Sequence, residues 1–187
     1  MRRLIALAAL CAVPLAGCRW VAVGDSILSD GVPQLHDAAG PGGYVDAEPW
    51  RAPNGLGIQR KHTTNRTIDL LIPTVDAGGW LIVEEAGDGV PAHDYLRFVD
   101  RTVAALPDDR CLAFVMPYAA AHVPANYGMD LPPSEEILPR LERQPCRAAV
   151  RWDLAAASDP GLLLSDGLHP SPRGQRVLAE LIAEAIQ

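Results

Sequence analysis

Basic residues are scarce in this chain of 187 residues. Lysine and arginine together number 16 against 23 aspartates and glutamates, the formal net charge is −7, and Lys61 is the only lysine. Proteins that bind nucleic acid neutralise several phosphates with clustered lysine and arginine side chains. The sequence contains no such basic stripe, so we expect no nucleic-acid partner.

Long hydrophobic runs are also lacking. The apolar stretch Leu4–Ala16 follows Arg2 and Arg3, and it is shorter than the ~20 apolar residues of a membrane-spanning helix. A short positive segment before an apolar segment of this length is typical of a secretory signal peptide. The stretch ends in Leu15-Ala16-Gly17-Cys18, which resembles the lipobox of bacterial lipoproteins. We therefore expect residues 1–18 to direct export and Cys18 to be lipidated, with an ordinary signal peptide as the alternative.

Cysteine is rare as well, with four residues in the chain. Cys11 and Cys18 belong to the leader, so the remaining domain, residues 19–187, contains only Cys111 and Cys146. Each of these two cysteines directly precedes an apolar run that indicates a strand. If the two strands are parallel neighbours, the two thiols lie close together, and export permits a disulfide. We expect the Cys111–Cys146 bridge, with two reduced buried cysteines as the alternative.

Five short apolar runs alternate with helical or loop segments and predict an α/β fold. Continuous apolar runs are typical of parallel strands that are covered on both faces. The predicted strands are Val21–Val23, Tyr44–Ala47, Trp80–Val83, Leu112–Met116 and Ala148–Trp152. Helices are predicted at 67–72, from Asp94 to Leu106 and from Ser134 to Leu138, with Asp94 and Ser134 as N-caps. A last helix is predicted after Ser171, which is a good N-cap before Pro172. Alternating units of this kind predict one doubly wound sheet with helices on both faces.

Two short motifs contain groups for nucleophilic catalysis. The first strand leads into Gly24-Asp25-Ser26, which places a serine on the turn at the strand's carboxyl end. A serine needs an adjacent base to act as a nucleophile. Ser165-Asp166-Gly167-Leu168-His169-Pro170 precedes the last helix, and its spacing allows the Asp166 carboxylate to orient the His169 imidazole. Together these residues predict a triad with Ser26 as nucleophile, His169 as base and Asp166 as its orienting partner.

The two motifs resemble the first and last blocks of the SGNH/GDSL hydrolase superfamily. Val45-Asp46-Ala47 with Arg51, and Trp152-Asp153, resemble SGNH domains similar to those of peptidoglycan O-acetyltransferases. The resemblance implies a three-layer α/β/α, flavodoxin-like sheet of about five parallel strands. It also implies an oxyanion site with Gly57 (or Gly55) as a donor. Asp88 stands where the family has an asparagine, and an ionised aspartate donates no hydrogen bond.

Other polar residues do not form a second site. His36, His62, His93 and His122 lack metal-ligand spacing and are expected to be surface or loop histidines. Glu84 and Glu85 are adjacent, so on a strand they point to opposite faces. We therefore expect neither a metal nor a cofactor. The sequence predicts an exported or membrane-anchored serine esterase that acts on a small acyl ester, without an obligate protein partner. An O-acyltransferase on a cell-envelope glycan and a catalytically silent glycan-binding lipoprotein are the alternatives.

Overall fold

Five parallel strands form one central sheet. The computed structural model describes residues 18–49, 64–86 and 89–187. The strands are β1 (Cys18–Gly24), β2 (Gly43–Ala47), β3 (Val75–Val83), β4 (Cys111–Val115) and β5 (Cys146–Val150). Their order across the sheet is β2-β1-β3-β4-β5, and each neighbouring pair is parallel. The predicted sheet of five parallel strands is confirmed.

Helices cover both faces of this sheet. They are α1 (Ser26–Ser29), α2 (Val32–Ala39), α3 (Thr64–Leu71), α4 (Ala92–Ala105), α5 (Ser134–Leu141), α6 (Trp152–Ser158) and α7 (Pro172–Ala185). Buried side chains of α1, α2, α6 and α7 share one apolar cluster, and those of α3, α4 and α5 share a second. The three-layer α/β/α prediction is therefore confirmed. None of the helices in the described ranges is long and apolar enough to cross a membrane.

Burial on both faces explains the continuous apolar runs of the strands. In β4, Leu112 and Phe114 belong to the cluster under α4 and α5, whereas Ala113 and Val115 belong to the opposite cluster. All five residues of β4 are buried. Side chains alternate between the two faces of a strand, so a strand between two helical layers requires apolar residues at every position. This arrangement fixes the strand ends that form the site.

Two of the three predicted helix caps are wrong. The helix α4 begins at Ala92 after Pro91, so Asp94 lies in its first turn and contacts Arg97 instead of capping the helix. Ser134 is the first residue of α5, and its hydroxyl donates to Asp153. The Ser171 prediction is confirmed, because its side chain accepts a hydrogen bond from the Gly174 N–H.

The two predicted modification sites lie at the amino edge of the sheet. Cys111 and Cys146 pair directly across β4 and β5 and form the predicted disulfide. Cys18 is the first residue of β1, three residues before the predicted strand start at Val21, and it is buried with Val21 and Val75. An irregularity in the β1–β3 register separates Cys18 from Trp20 and the regular ladder. Both features therefore lie at the end of the sheet opposite to Ser26.

Candidate active site

Ser26 follows β1 at the point where the order of the strands reverses. The chain passes from β1 to β2 on one side and then returns to β3 on the other side. In open α/β sheets, ligands bind in the crevice outside the carboxyl ends of the strands at such a point. Gly24, the last residue of β1, is level with Ala47 of β2. Ser26 therefore lies where this architecture usually forms a binding site.

Hydrogen bonds of Asp25 hold the turn that presents Ser26. One Asp25 carboxylate oxygen accepts from the Ile27 N–H at 2.9 Å and thereby caps α1. The other oxygen accepts from the Ala86 N–H at 2.8 Å, beyond the end of β3. The carboxylate therefore ties the first turn of α1 to the neighbouring strand end. Ser26 stands between two residues whose backbone groups are fixed.

Asp166 and His169 lie on a tight loop that is closed at its base. Leu163 and Pro170 form an antiparallel bridge, and the Leu164 N–H donates to the His169 carbonyl at 2.8 Å. Within the loop, Gly167 has a φ of 73°, a conformation that disfavours other residues. A Cβ at this position would also lie 2.7 Å from His122 Nε2. These contacts fix the backbone that carries the side chains of Asp166 and His169.

The structure brings the three predicted triad residues into one hydrogen-bonded chain. Ser26 Oγ is 2.9 Å from His169 Nε2, and His169 Nδ1 is 2.7 Å from Asp166 Oδ2. The second Asp166 oxygen accepts from the N–H groups of Leu168 and His169, both at 3.0 Å. Because an ionised carboxylate only accepts, His169 Nδ1 carries the proton that it donates to Asp166. His169 Nε2 then accepts from the Ser26 hydroxyl.

The same hydrogen bonds determine the charge of Asp166. Partial burial raises the pKa of Asp166. The N–H groups of Leu168 and His169 and the His169 ring lower it by more than burial raises it, so the pKa lies below its ordinary value of 3.8. Asp166 is therefore ionised at neutral pH. The side chains of His169 and Asp166 are 17% and 26% exposed, so solvent and a small substrate can reach the site.

The chain was compared with known sequences and with solved structures. Neither a protein-family model nor a curated protein sequence matches the chain. The C-terminal catalytic domain of Streptococcus pneumoniae peptidoglycan O-acetyltransferase A, solved with a methylsulfonyl adduct, is similar in structure. It is 16% identical with a TM-score of 0.63, and the match covers 91% of each chain.

Two further solved structures are similar over most of their length. A protein described as a candidate SGNH hydrolase from Slackia heliotrinireducens is 19% identical with a TM-score of 0.62, covering 91% of this chain and 100% of that one. A G-D-S-L lipolytic family member from Veillonella parvula is 14% identical with a TM-score of 0.63, covering 88% and 96%. This chain has the SGNH hydrolase fold. At these identities the likeness establishes the fold and leaves the activity to be argued from the site.

The SGNH fold here places a third loop, residues 116–133, beside the Asp166–His169 loop. The Ala120 N–H donates to the Gly167 carbonyl at 3.0 Å, and the Tyr127 ring meets the His169 ring edge-on with centroids 6.2 Å apart. His122, predicted to be a surface histidine, is exposed but packs against Gly167. Tyr127 therefore lies beside His169, the predicted base.

Three buried acidic residues, Asp25, Glu84 and Glu85, lie next to Ser26, and none of them was assigned a functional role from the sequence. Glu84, Glu85 and Asp25 are 3%, 0% and 2% exposed. Glu85 accepts from the Thr64 hydroxyl through its carboxylate and from the Tyr95 hydroxyl at 2.8 Å through its carbonyl. Burial raises the pKa of Asp25, although N–H groups of Ile27 and Ala86 oppose that shift. The position of Glu84 directly after β3, the neighbour of β1, was the available signal.

The predicted oxyanion residues fall outside the described residues. They are Gly57, its alternative Gly55, and Asp88. Arg51, part of the resemblance to SGNH domains, also lies outside them. Among the residues that the structure does describe, no group of three or more histidine, cysteine or acidic side chains could hold a metal ion. The described part of the site consists of the hydrogen-bonded side chains of Ser26, His169 and Asp166.

Proposed function

We propose that this protein is an exported serine esterase that acts on a small acyl ester, with Ser26 as nucleophile, His169 as general base and acid, and Asp166 as the orienting carboxylate. The observation that carries this proposal is the unbroken chain of contacts from Ser26 Oγ through both ring nitrogens of His169 to Asp166, at 2.9 and 2.7 Å. Such a chain activates a hydroxyl that is otherwise a weak nucleophile.

The reaction begins when Ser26 Oγ attacks the ester carbonyl carbon and its proton passes to His169 Nε2. His169 becomes an imidazolium, and the ionised Asp166 stabilises it through the Nδ1–H bond. Collapse of the tetrahedral intermediate breaks the bond to the leaving alcohol, which takes the proton from Nε2. Water, or an acceptor hydroxyl, then attacks the acyl-Ser26 ester with His169 again as base, and Ser26 is regenerated.

The intermediate also needs donors for its oxyanion. Ser26 is the first residue of α1, so its N–H has no acceptor within that helix, and we assign it as one donor. We propose an N–H of the Gly57 segment as the second donor. Asp88 contributes its backbone N–H rather than its side chain in this scheme, since an ionised carboxylate would repel the developing charge.

A second activity, O-acyl transfer to a cell-envelope glycan, is favoured by one observation. The solved domain of peptidoglycan O-acetyltransferase A has the same fold over 91% of both chains. The two activities differ only in whether water or a glycan hydroxyl accepts the acyl group from Ser26. Free acetate released from an acetyl ester without a glycan indicates hydrolysis, whereas product that requires an acceptor indicates transfer.

Substitution of Ser26 tests the proposal directly. Ser26→Ala should lower kcat on p-nitrophenyl acetate by on the order of 10⁶-fold while leaving thermal unfolding near that of the wild type. Ser158→Ala is the matched control, because Ser158 is an exposed hydroxyl at the end of α6 and should retain full activity. A fluorophosphonate should label the wild type at Ser26 only. Folded wild-type protein that neither reacts with the probe nor turns over would instead favour the silent glycan-binding alternative.

Export is part of the same proposal. The Cys111–Cys146 disulfide is consistent with an oxidising compartment, and residues 1–18 supply the predicted signal. Lipidation of Cys18 would place the membrane at the amino edge of the sheet. Ser26 lies at the carboxyl edge, so the site would still face away from the bilayer.

A further inference from the structure

Glu84 contacts the backbone of the turn that presents Ser26. It is the residue directly after β3, and its N–H donates to the Val23 carbonyl at 2.9 Å. Its side chain lies beneath the turn, where Oε2 accepts from the Asp25 N–H at 3.2 Å. A Cβ at Gly24 would lie 2.8 Å from the same oxygen. The Glu84 carboxyl therefore fills the space left by Gly24 and binds the N–H of the Gly24–Asp25 peptide.

The surroundings of Glu84 favour its uncharged form. Among the described residues, the titratable groups that face it are Asp25 from the β1–α1 turn, Glu85 from its own segment and Tyr95 from α4. Burial, followed by the charges of Asp25 and Glu85, holds the pKa of Glu84 well above its ordinary value of 4.5. Asp25 stabilises a negative charge better than Glu84 does, because its carboxylate accepts hydrogen bonds from two backbone N–H groups. These contacts favour the ionised form of Asp25 and the uncharged form of Glu84.

We propose that Glu84 is a positioning residue for Ser26, because its Oε2 accepts from the Asp25 N–H and its uncharged carboxyl group can donate to the Asp25 carboxylate that it contacts. Asp25 in turn caps α1 at Ile27 and binds Ala86. Glu84 thus acts on Ser26 through Asp25 without touching the substrate. This inference rests on the proposed role of Ser26 in acyl transfer.

Two variants of Glu84 separate positioning from mere filling of space. Glu84→Gln retains an oxygen that accepts from the Asp25 N–H and supplies an N–H for the Asp25 carboxylate. Glu84→Leu has similar bulk and neither group. We expect kcat on p-nitrophenyl acetate to fall about threefold or less for the glutamine variant and more than about tenfold for the leucine variant, with similar KM for both. Equal kcat in folded leucine variant and wild type, or equal losses in both variants, would overturn the inference.

The pH dependence of unfolding supplies a readout that does not depend on turnover. A folded-state pKa above the unfolded value gives stability that is fully present below about pH 4.5 and is lost as pH rises through the folded-state pKa. Glu84→Gln should remove much of this loss, while the part due to Asp25 persists. If the wild type and the glutamine variant lose stability in parallel on raising the pH, Glu84 is not the uncharged partner and the inference fails.

Amide hydrogen exchange distinguishes failure of this inference from failure of the proposed function. Peptides that cover residues 21–28 should exchange faster in Glu84→Leu than in the wild type, and Glu84→Gln should stay near the wild type. If the wild type shows no Ser26-dependent turnover, the proposed function fails, and exchange alone decides whether Glu84 holds the turn. Unchanged exchange in the leucine variant refutes the positioning role whether or not the protein is an enzyme.

Discussion

Replacement of Asp166 by asparagine tests how the site orients its base. Asp166 Oδ1 accepts from the N–H groups of Leu168 and His169, so the only oxygen of asparagine must remain on that side. The asparagine NH₂ then faces His169 Nδ1 at the position of Oδ2. This NH₂ donates to Nδ1, which forces the ring proton onto Nε2. A protonated Nε2 cannot accept the Ser26 proton.

The expected loss of kcat depends on whether the lost hydrogen bond or the reversed His169 tautomer has the larger effect. Loss of one charge-assisted hydrogen bond such as the 2.7 Å bond to Nδ1 costs about 1.5–3 kcal/mol, which is roughly a 10- to 150-fold loss of rate. Reversal of the tautomer removes general-base catalysis altogether, and in a serine triad that change costs about 10⁴-fold in kcat. We therefore expect Asp166→Asn to lose about 10³–10⁴-fold in kcat, more than the bond alone explains.

The measurement is kcat/KM on p-nitrophenyl acetate with the folded fraction checked by thermal unfolding. Asp69→Asn is the matched control, because Asp69 forms an exposed ion pair with Arg101 between α3 and α4 on the other face of the sheet, and such pairs contribute about 0–1 kcal/mol. It should retain wild-type turnover. If folded Asp166→Asn keeps more than about one tenth of the wild-type value, His169 does not depend on Asp166 and the proposed triad is wrong.

Two further predictions concern the amino edge of the sheet. Reduction of Cys111–Cys146, whose residues are 35 apart in sequence, should destabilise the fold by about 4 kcal/mol in the chain-entropy model, and hence lower Tm by roughly 8–16 °C. Turnover well below Tm should not change, and a Cys111→Ser/Cys146→Ser variant whose Tm equals that of the oxidised wild type would contradict this estimate. Mass spectrometry of the native protein should find a lipidated Cys18 at the mature N-terminus. The register irregularity before Trp20 allows Cys18 to leave β1 while the pairing of Trp20–Val23 with β3 stays intact. An unmodified thiol at Cys18 would contradict lipidation and assign Cys18 to the core.

The sequence predicted the elements whose apolar pattern is complete. The strand β4 and the helix α7 were predicted because nearly every core-facing position is apolar. The helix α2 was missed because Leu35 is its only buried residue, so it has almost no apolar stripe. The first half of β3, from Val75 to Gly79, contains polar residues and two glycines, and so only Trp80–Val83 was predicted. Trp152 continued the apolar run of β5 but begins α6, since a buried aromatic residue suits either element.

The site divides in the same way, between contacts that local spacing determines and contacts that the fold determines. Asp166 and His169 are three residues apart on one loop, so their pairing was predictable from spacing. Ser26 was predictable because Gly24-Asp25-Ser26 directly follows the first apolar run and resembles the first SGNH/GDSL block. Glu84 and Asp25 are 59 residues apart and meet only because β1 and β3 are neighbours. Their contact depends on the sheet order, which the apolar pattern did not specify.

The buried acids also bear on which backbone groups can stabilise an oxyanion. A carboxyl group directly after β3 is costly to bury unless it stays uncharged or is hydrogen-bonded. Glu84 accepts a hydrogen bond from the Asp25 N–H, and its raised pKa favours the uncharged form. Asp25 already holds the Ala86 N–H, a backbone donor beyond the third strand. That N–H therefore stabilises the nucleophile turn and is not available to an oxyanion. If the proposed chemistry holds, the oxyanion relies on the Ser26 N–H, an N–H of the Gly57 segment and the Asp88 backbone N–H, so substitutions near Gly57 should reduce kcat more than substitutions at Ala86.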